Sequence, residues 1–89
     1  MSRTLIKGAE AACATSKGSS STFGSATVVR LINTDSSAHL VYLCTGTSGD
    51  DVGSFTMPAG SVEFLEKDST HTVYAANAGV KGASAGFTD

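Results

Sequence analysis

From Ser25 onward the chain alternates short apolar-rich runs with compact polar breaks. The runs are SATVVRLIN, HLVYLC, GSFTM, SVEFLEK, THTVYAA and VKGASAGFT, separated by segments such as TDSSA, TGTSGDDV, PAG and DS. Period-two alternation bounded by Gly, Pro, Asp and Ser predicts strands joined by tight turns. The fold class that follows is all-β, a small antiparallel β-sandwich or barrel of about six to seven short strands. Turns this short leave little loop on which to build an active site.

The individual runs carry more detail. In Thr27-Val28-Val29-Arg30-Leu31-Ile32-Asn33, Val29 and Leu31 occupy one face and Val28 and Ile32 the other, which predicts a strand covered on both sides. The next run repeats this, with Leu40, Tyr42 and Cys44 on one face and Val41 and Leu43 on the other. Residues 46–53 form a polar turn with Asp50 and Asp51 at its tip. Phe55-Thr56-Met57 and Ser61-Val62-Glu63-Phe64 flank Pro58-Ala59-Gly60, which predicts a hairpin whose buried face holds Phe55, Met57, Val62 and Phe64. The last stretch, residues 72–76 and 80–88, places Ala and Gly where large groups would alternate. It reads as a thin edge strand or as a seam that another chain approaches closely.

Residues 9–25, AEAACATSKGSSSTFGS, lack an apolar period and are too poor in apolar side chains to order themselves. The predicted organisation is an N-terminal arm over residues 1–24 and a β-sandwich domain over 25–89. Ahead of the small-residue stretch, Thr4-Leu5-Ile6-Lys7 reads as a short edge strand or a tail that docks on a neighbour.

Composition narrows the function classes. Eighty-nine residues make one small domain whose own core is modest, so help from partner subunits is expected. Six Lys and Arg face eight Asp and Glu, a net charge of −2, and the cations are scattered. This excludes an electrostatic footprint for nucleic acid or an anionic membrane. No apolar run is long enough for a membrane span, and the start MSRTLIKGAEAACATS lacks the apolar core and cleavage site of a signal peptide, so synthesis in a cytoplasm is expected. In that compartment Cys13 and Cys44 are expected to remain unbonded.

Candidate chemistry is sparse. His39, Cys44, Met57 and His71 are the residue types of a blue-copper centre. A cupredoxin-like protein would, however, carry one His and the Met within a few residues after the Cys, and here nothing usable follows Cys44 until Met57. Asp50-Asp51 lacks the spacing of a calcium loop. No nucleophile elbow or phosphate loop is present, and Glu63 and Glu66, three apart in a strand, point to opposite faces. The expectation is a protein that is not an enzyme, with no catalytic residue, cofactor, metal or small-molecule substrate.

Residues 26–88 bring a resemblance. The motif Arg30-x-x-Asn33 before a turn, the run Gly53-Ser54-Phe55-x-x-Pro58-Ala59-Gly60, the turn Glu66-Lys67-Asp68 and the closing small-residue strand resemble small β-rich virion proteins of tailed bacteriophages, of the marine and cyanobacterial kind. The resemblance covers about two thirds of the chain and implies a virion location. It implies a structural role, foremost a capsid decoration or cement protein that binds the head as a homo-oligomer. Its partners would be further copies of itself, the major capsid protein or other virion proteins. The protein-contact residues expected on this reading are Leu5, Ile6, Val28, Ile32, Val41, Leu43, Val80 and Phe87. An alternative is a small glycan- or host-surface-binding β module that uses the loop at 46–53.

Overall fold

The structure, a computed structural model, describes residues 3–88. Its strands are β1 (Arg3–Ile6), β2 (Ala11–Ala12), β3 (Val28–Asn33), β4 (His39–Cys44), β5 (Asp51–Met57), β6 (Val62–Glu66), β7 (Thr72–Ala75) and β8 (Val80–Thr88), with a 3₁₀ turn at Lys17–Ser19. They form two antiparallel sheets. The larger has the order β1-β8-β3-β6, with β2 also on β8, and the smaller has the order β5-β4-β7. The all-β sandwich expected from the strand rhythm is what the chain forms.

The core lies between the sheets. Val29 and Leu31 of β3, Val41 of β4, Met57 of β5, Val73 and Ala75 of β7 and Val80 of β8 are buried there, with Leu43, Phe55 and Leu65 packed against them. Period-two alternation puts Val28, Arg30 and Ile32 on the opposite, outer face of the larger sheet. The outer face of β3, Val28, Arg30 and Ile32, is only half-buried, so the expected cover on both sides is found on the inner face alone.

Of the consecutive strands from β3 on, only β4 and β5 pair with each other; the other connections cross between sheets. Pro58-Ala59-Gly60 is therefore a crossover and not the expected hairpin turn, since β5 pairs with β4 and β6 pairs with β3. The cause is Asn33, which is fully buried at the end of β3. Its Nδ2 donates to the carbonyls of Ser37 and Met57, both at 2.9 Å, and its Oδ1 accepts from Asp35 N–H at 3.0 Å. Its backbone also accepts from Gly60 N–H and donates to Ser61 O. One side chain thus ties the β3–β4 turn to the β5–β6 turn, with Gly60 at φ 75° supplying the left-handed corner. With β5 and β6 on different sheets, only Met57 of the four expected core residues is fully buried, Phe55 is packed against the core, and Val62 and Phe64 are exposed.

The N-terminal segment is built into the sandwich. β1 and β2 extend the larger sheet along β8. Residues 13–21 then pass to the smaller sheet: Cys13 N–H donates to Val80 O at 2.8 Å, Ala14 O accepts from Ala75 N–H at 2.9 Å, and Ser21 bridges to Val73. The segment expected as an arm or a loop is a strap that closes one side of the sandwich along β7. It orders because β7 and β8 satisfy its backbone and because its two widely spaced apolar side chains, Cys13 and Phe23, reach the core. The strap ends in a left-handed turn, with Phe23, Gly24 and Ser25 at φ 53°, 72° and 58° and Ala26 N–H donating to Thr22 O at 3.1 Å. Each left-handed non-Gly residue costs about 1 kcal/mol. Burial of the Phe23 ring in the core offsets that by roughly 2 kcal/mol.

β8 is neither a thin edge nor an exposed seam. It lies between β3 on one side and β1 and β2 on the other, and its small residues make room for parts of the same chain. A Cβ at Gly82 would stand 2.9 Å from two atoms of the Phe23 ring and 3.0 Å from Leu31 Cδ2. On the opposite face, Ala83 lies opposite Arg30, and Arg30 reaches across β8 to Glu10 at 3.6 Å. Ala83 is buried beneath that ion pair.

Candidate protein-contact surface

Register defines what faces outward from the larger sheet. Ile6 lies opposite Ala85, Arg30 opposite both Ala83 and Phe64, and Ile32 opposite Val62 and Lys81. Directly opposed residues share a face, so Thr4, Ile6, Val28, Arg30, Ile32, Val62, Phe64, Glu66, Lys81 and Phe87 belong to one surface. Its apolar side chains surround Arg30, which lies opposite Phe64 and Ala83. The rings of Phe64 and Phe87 meet with centroids 5.2 Å apart and planes tilted by 58°, an arrangement in which an aromatic edge approaches a face. Phe64 is 40% exposed, Phe87 49%, Val62 40% and Ile6 54%, and Leu5 on the same edge is 47% exposed. The only ion pair on this face is Arg30 with Glu10, among the described residues.

The expected contact residues divide in two. Ile6 and Phe87 are exposed at the β1 and β8 end of the face, Leu5 is exposed on the other side of β1, and Val28 and Ile32 are half-buried within the face. Val41 and Val80 are fully buried between the sheets, and Leu43 packs against the same core. Their apolar surface is used inside the chain, which corrects their expected role as contact residues. The reason is that β4 turns its odd-numbered residues inward, so its second apolar face is Leu40, Tyr42 and Cys44. Phe64 and Val62 take the place of the three core residues. The sequence signal that points to them is Val-x-Phe spacing on a strand, but the hairpin reading assigned that spacing to the core.

The outer face of the smaller sheet is finished differently. Tyr42 and Tyr74, opposed across β4 and β7, stack with centroids 4.6 Å apart and planes within 10°. Beside them the 3₁₀ turn of the strap covers Cys44 and Thr72: Ser20 Oγ donates to Thr72 Oγ1 at 2.8 Å, and Lys17 Nζ meets Asp51 Oδ1 at 3.0 Å. The Cys44 thiol donates to Asp51 at 3.3 Å. Burial, then the Asp51 carboxylate, push the thiol above its ordinary range. The Lys17 ammonium, then the thiol, hold the Asp51 carboxyl low. A protonated, covered thiol is a poor nucleophile and a poor metal ligand.

The residues of the copper alternative fall at two ends of β4. His39 lies opposite Met57 at one end, with its Nε2 2.6 Å from Asp35 Oδ2, and Cys44 lies at the other end against Asp51 and Thr72. No group of three or more His, Cys, Asp or Glu that could hold a metal ion occurs among the described residues. Asp51 belongs to β5 and is held by Lys17, so the loop at 46–53 does not present two free carboxylates. Cys13, buried in the core, and Cys44 are both free thiols. Burial pushes the Cys13 thiol up to about 11.

A half-open groove of about 360 Å³ runs between the β1–β2 connection and the left-handed turn, lined by Lys7, Ala9, Ala11, Ser21, Phe23 and Ser84 among others. Apart from Lys7 it offers hydroxyls and backbone, a set without acid–base or nucleophilic chemistry. Comparison with protein-family models, curated proteins and solved structures returns no match to this chain.

Proposed function

We propose that the protein is a structural virion component of a tailed phage, a decoration or cement protein that binds the head surface and works by protein contact. The observation that carries this reading is the outer face of the larger sheet, where Phe64, Phe87, Val62 and Ile6 are exposed around the Arg30–Glu10 ion pair, with Lys81 and Glu66 on the same face. A flat sheet face with exposed apolar side chains suits another protein surface better than a small molecule, which needs a concave site. The resemblance of residues 26–88 to small phage virion proteins supplies the class of partner. The test is cosedimentation with assembled heads built from the capsid protein encoded alongside the chain. Wild type is expected to bind, and the double variant Phe64→Ser, Phe87→Ser to bind at least roughly tenfold more weakly. Wild type that ignores heads, or a double variant that binds equally well, contradicts the proposal.

A second reading, glycan binding, rests on the Tyr42 and Tyr74 stack beside the loop at 45–50. Aromatic rings offer an apolar face to sugar C–H groups while the phenol hydroxyl remains wet. A glycan array read with wild type and Tyr74→Ala decides it: hits lost in the variant support it, and no hits remove it.

A further inference from the structure

The larger sheet ends in two strands whose outer edges have no partner among the described residues. β1 pairs only with β8, and β6 only with β3. An open edge presents a row of free N–H and C=O groups that another strand can extend. The two edges carry opposite charge. β1 reads Arg3-Thr4-Leu5-Ile6 and is followed by Lys7, and β6 reads Val62-Glu63-Phe64-Leu65-Glu66. Arg3, Lys7, Glu63 and Glu66 are all exposed, and none has an ion-pair partner within the described residues. Two β1 edges would bring cations together, and two β6 edges would bring carboxylates together. β1 against β6 is the one combination of these two edges in which the charges attract.

We infer that copies of the chain join head to tail, β1 of one copy adding antiparallel to β6 of the next. The inference deepens the assembly reading above by stating how copies meet. Faces fix the register. Ile6 and Phe64 both face outward, so placing them opposite each other sets Leu5 against Leu65, Lys7 against Glu63 and Thr4 against Glu66, with Arg3 one residue further along on the other face. Lys67, which would stand opposite Arg3, turns its ammonium into its own chain, donating to Ala26 O at 2.7 Å. The joint adds Ile6 of one copy to the outer face beside Phe64 of the next, while Thr4, next to Phe87, meets Glu66. Such a contact uses two different surfaces, so it repeats and closes into a ring or continues as a filament. The edge of β5 is a poorer joint, since the ladder between β4 and β5 shifts register at Leu43 and Cys44 and Lys17 occupies Asp51.

The test is sedimentation velocity of the full chain without heads, over a range of concentration and salt. One variant reverses the β1 edge (Arg3→Glu, Lys7→Glu) and another the β6 edge (Glu63→Lys, Glu66→Lys). Wild type is expected to form species larger than dimers that weaken with added salt. Each variant alone is expected to associate roughly 100-fold more weakly, and an equimolar mixture is expected to assemble again, because the acidic β1 of one matches the basic β6 of the other. All four charges are exposed, so circular dichroism of both variants should match wild type. A wild type that stays monomeric, variants that associate as wild type does, or a mixture that stays dissociated overturns the inference. Wild-type head binding, measured separately, stands or falls independently of these outcomes.

Discussion

The two sheets share one core but end differently at their outer faces. Across the smaller sheet, the strap lays its 3₁₀ turn over Cys44 and Thr72, and two tyrosines carry hydroxyls into the remaining surface. Across the larger sheet, nothing in the chain covers Phe64 and Phe87. The chain has an element able to cover a sheet face and applies it to only one. Leu40 of β4 and Val52 of β5 remain exposed on the smaller sheet, but only the larger sheet leaves an uncovered pair of aromatic rings.

That contrast depends first on the crossover that separates β5 from β6. Asn33→Ala removes two donors and an acceptor and leaves the carbonyls of Ser37 and Met57 and the N–H of Asp35 unpaired. The expected loss is about 3 kcal/mol or more, the largest of any single substitution considered. Urea unfolding checks it, and a loss below about 1 kcal/mol would mean that Asn33 does not hold the sheets in their arrangement.

Next in size is the packing of the strap on the larger sheet. Gly82→Ala drives a methyl into the Phe23 ring, at an expected cost of about 1 to 3 kcal/mol in the same assay. A similar size is expected from alkali. The Cys13 thiol is raised from 9.0 to about 11, so burial favours the protonated form. The stability this contributes is fully present below pH 9 and is lost as pH rises through 11, by about 2 to 3 kcal/mol. Cys13→Ala should flatten that part of the pH profile. At the acid end the sign reverses. Hydrogen bonds from His39 and Ser36 N–H lower the Asp35 carboxyl, and the Lys17 and Cys44 contacts lower that of Asp51. Their contribution is present above the ordinary carboxylate pKa and disappears as pH falls below it.

The smallest expected effect sharpens the contrast most. Lys17→Met removes an exposed, solvent-screened ion pair and should leave stability nearly unchanged. It should nevertheless loosen the cover on Cys44, so that the thiol reacts with a maleimide severalfold faster while Cys13 remains slow. Equal rates in variant and wild type would show that Ser20 and Thr72 hold the cover without the ion pair.

Much of this was legible in the sequence. The strand rhythm specifies an all-β sandwich, and the alternation around Val29 and Leu31 identifies the heart of the core. What the rhythm does not carry is which sheet a strand joins. Pro58-Ala59-Gly60 has the composition of a hairpin turn, and only the buried amide of Asn33, far from it in sequence, makes it a crossover. The strap was illegible for a related reason: its order comes from backbone hydrogen bonds to β7 and β8, of which small polar side chains give no sign, and from Cys13 and Phe23, which are too widely spaced to form an apolar period. The same limit explains β8, whose glycine and alanines look like a weak edge until Phe23 and Arg30 are seen to occupy the space they leave.

Hydrogen exchange, compared between the free protein and the head-bound protein, tests the central claim most directly. Added protection is expected in β6 and the Ala85 to Phe87 part of β8, with β1 included, and no change at Tyr42 and Tyr74. Protection confined to the smaller sheet, with the Phe64 and Phe87 face exchanging as before, would contradict it.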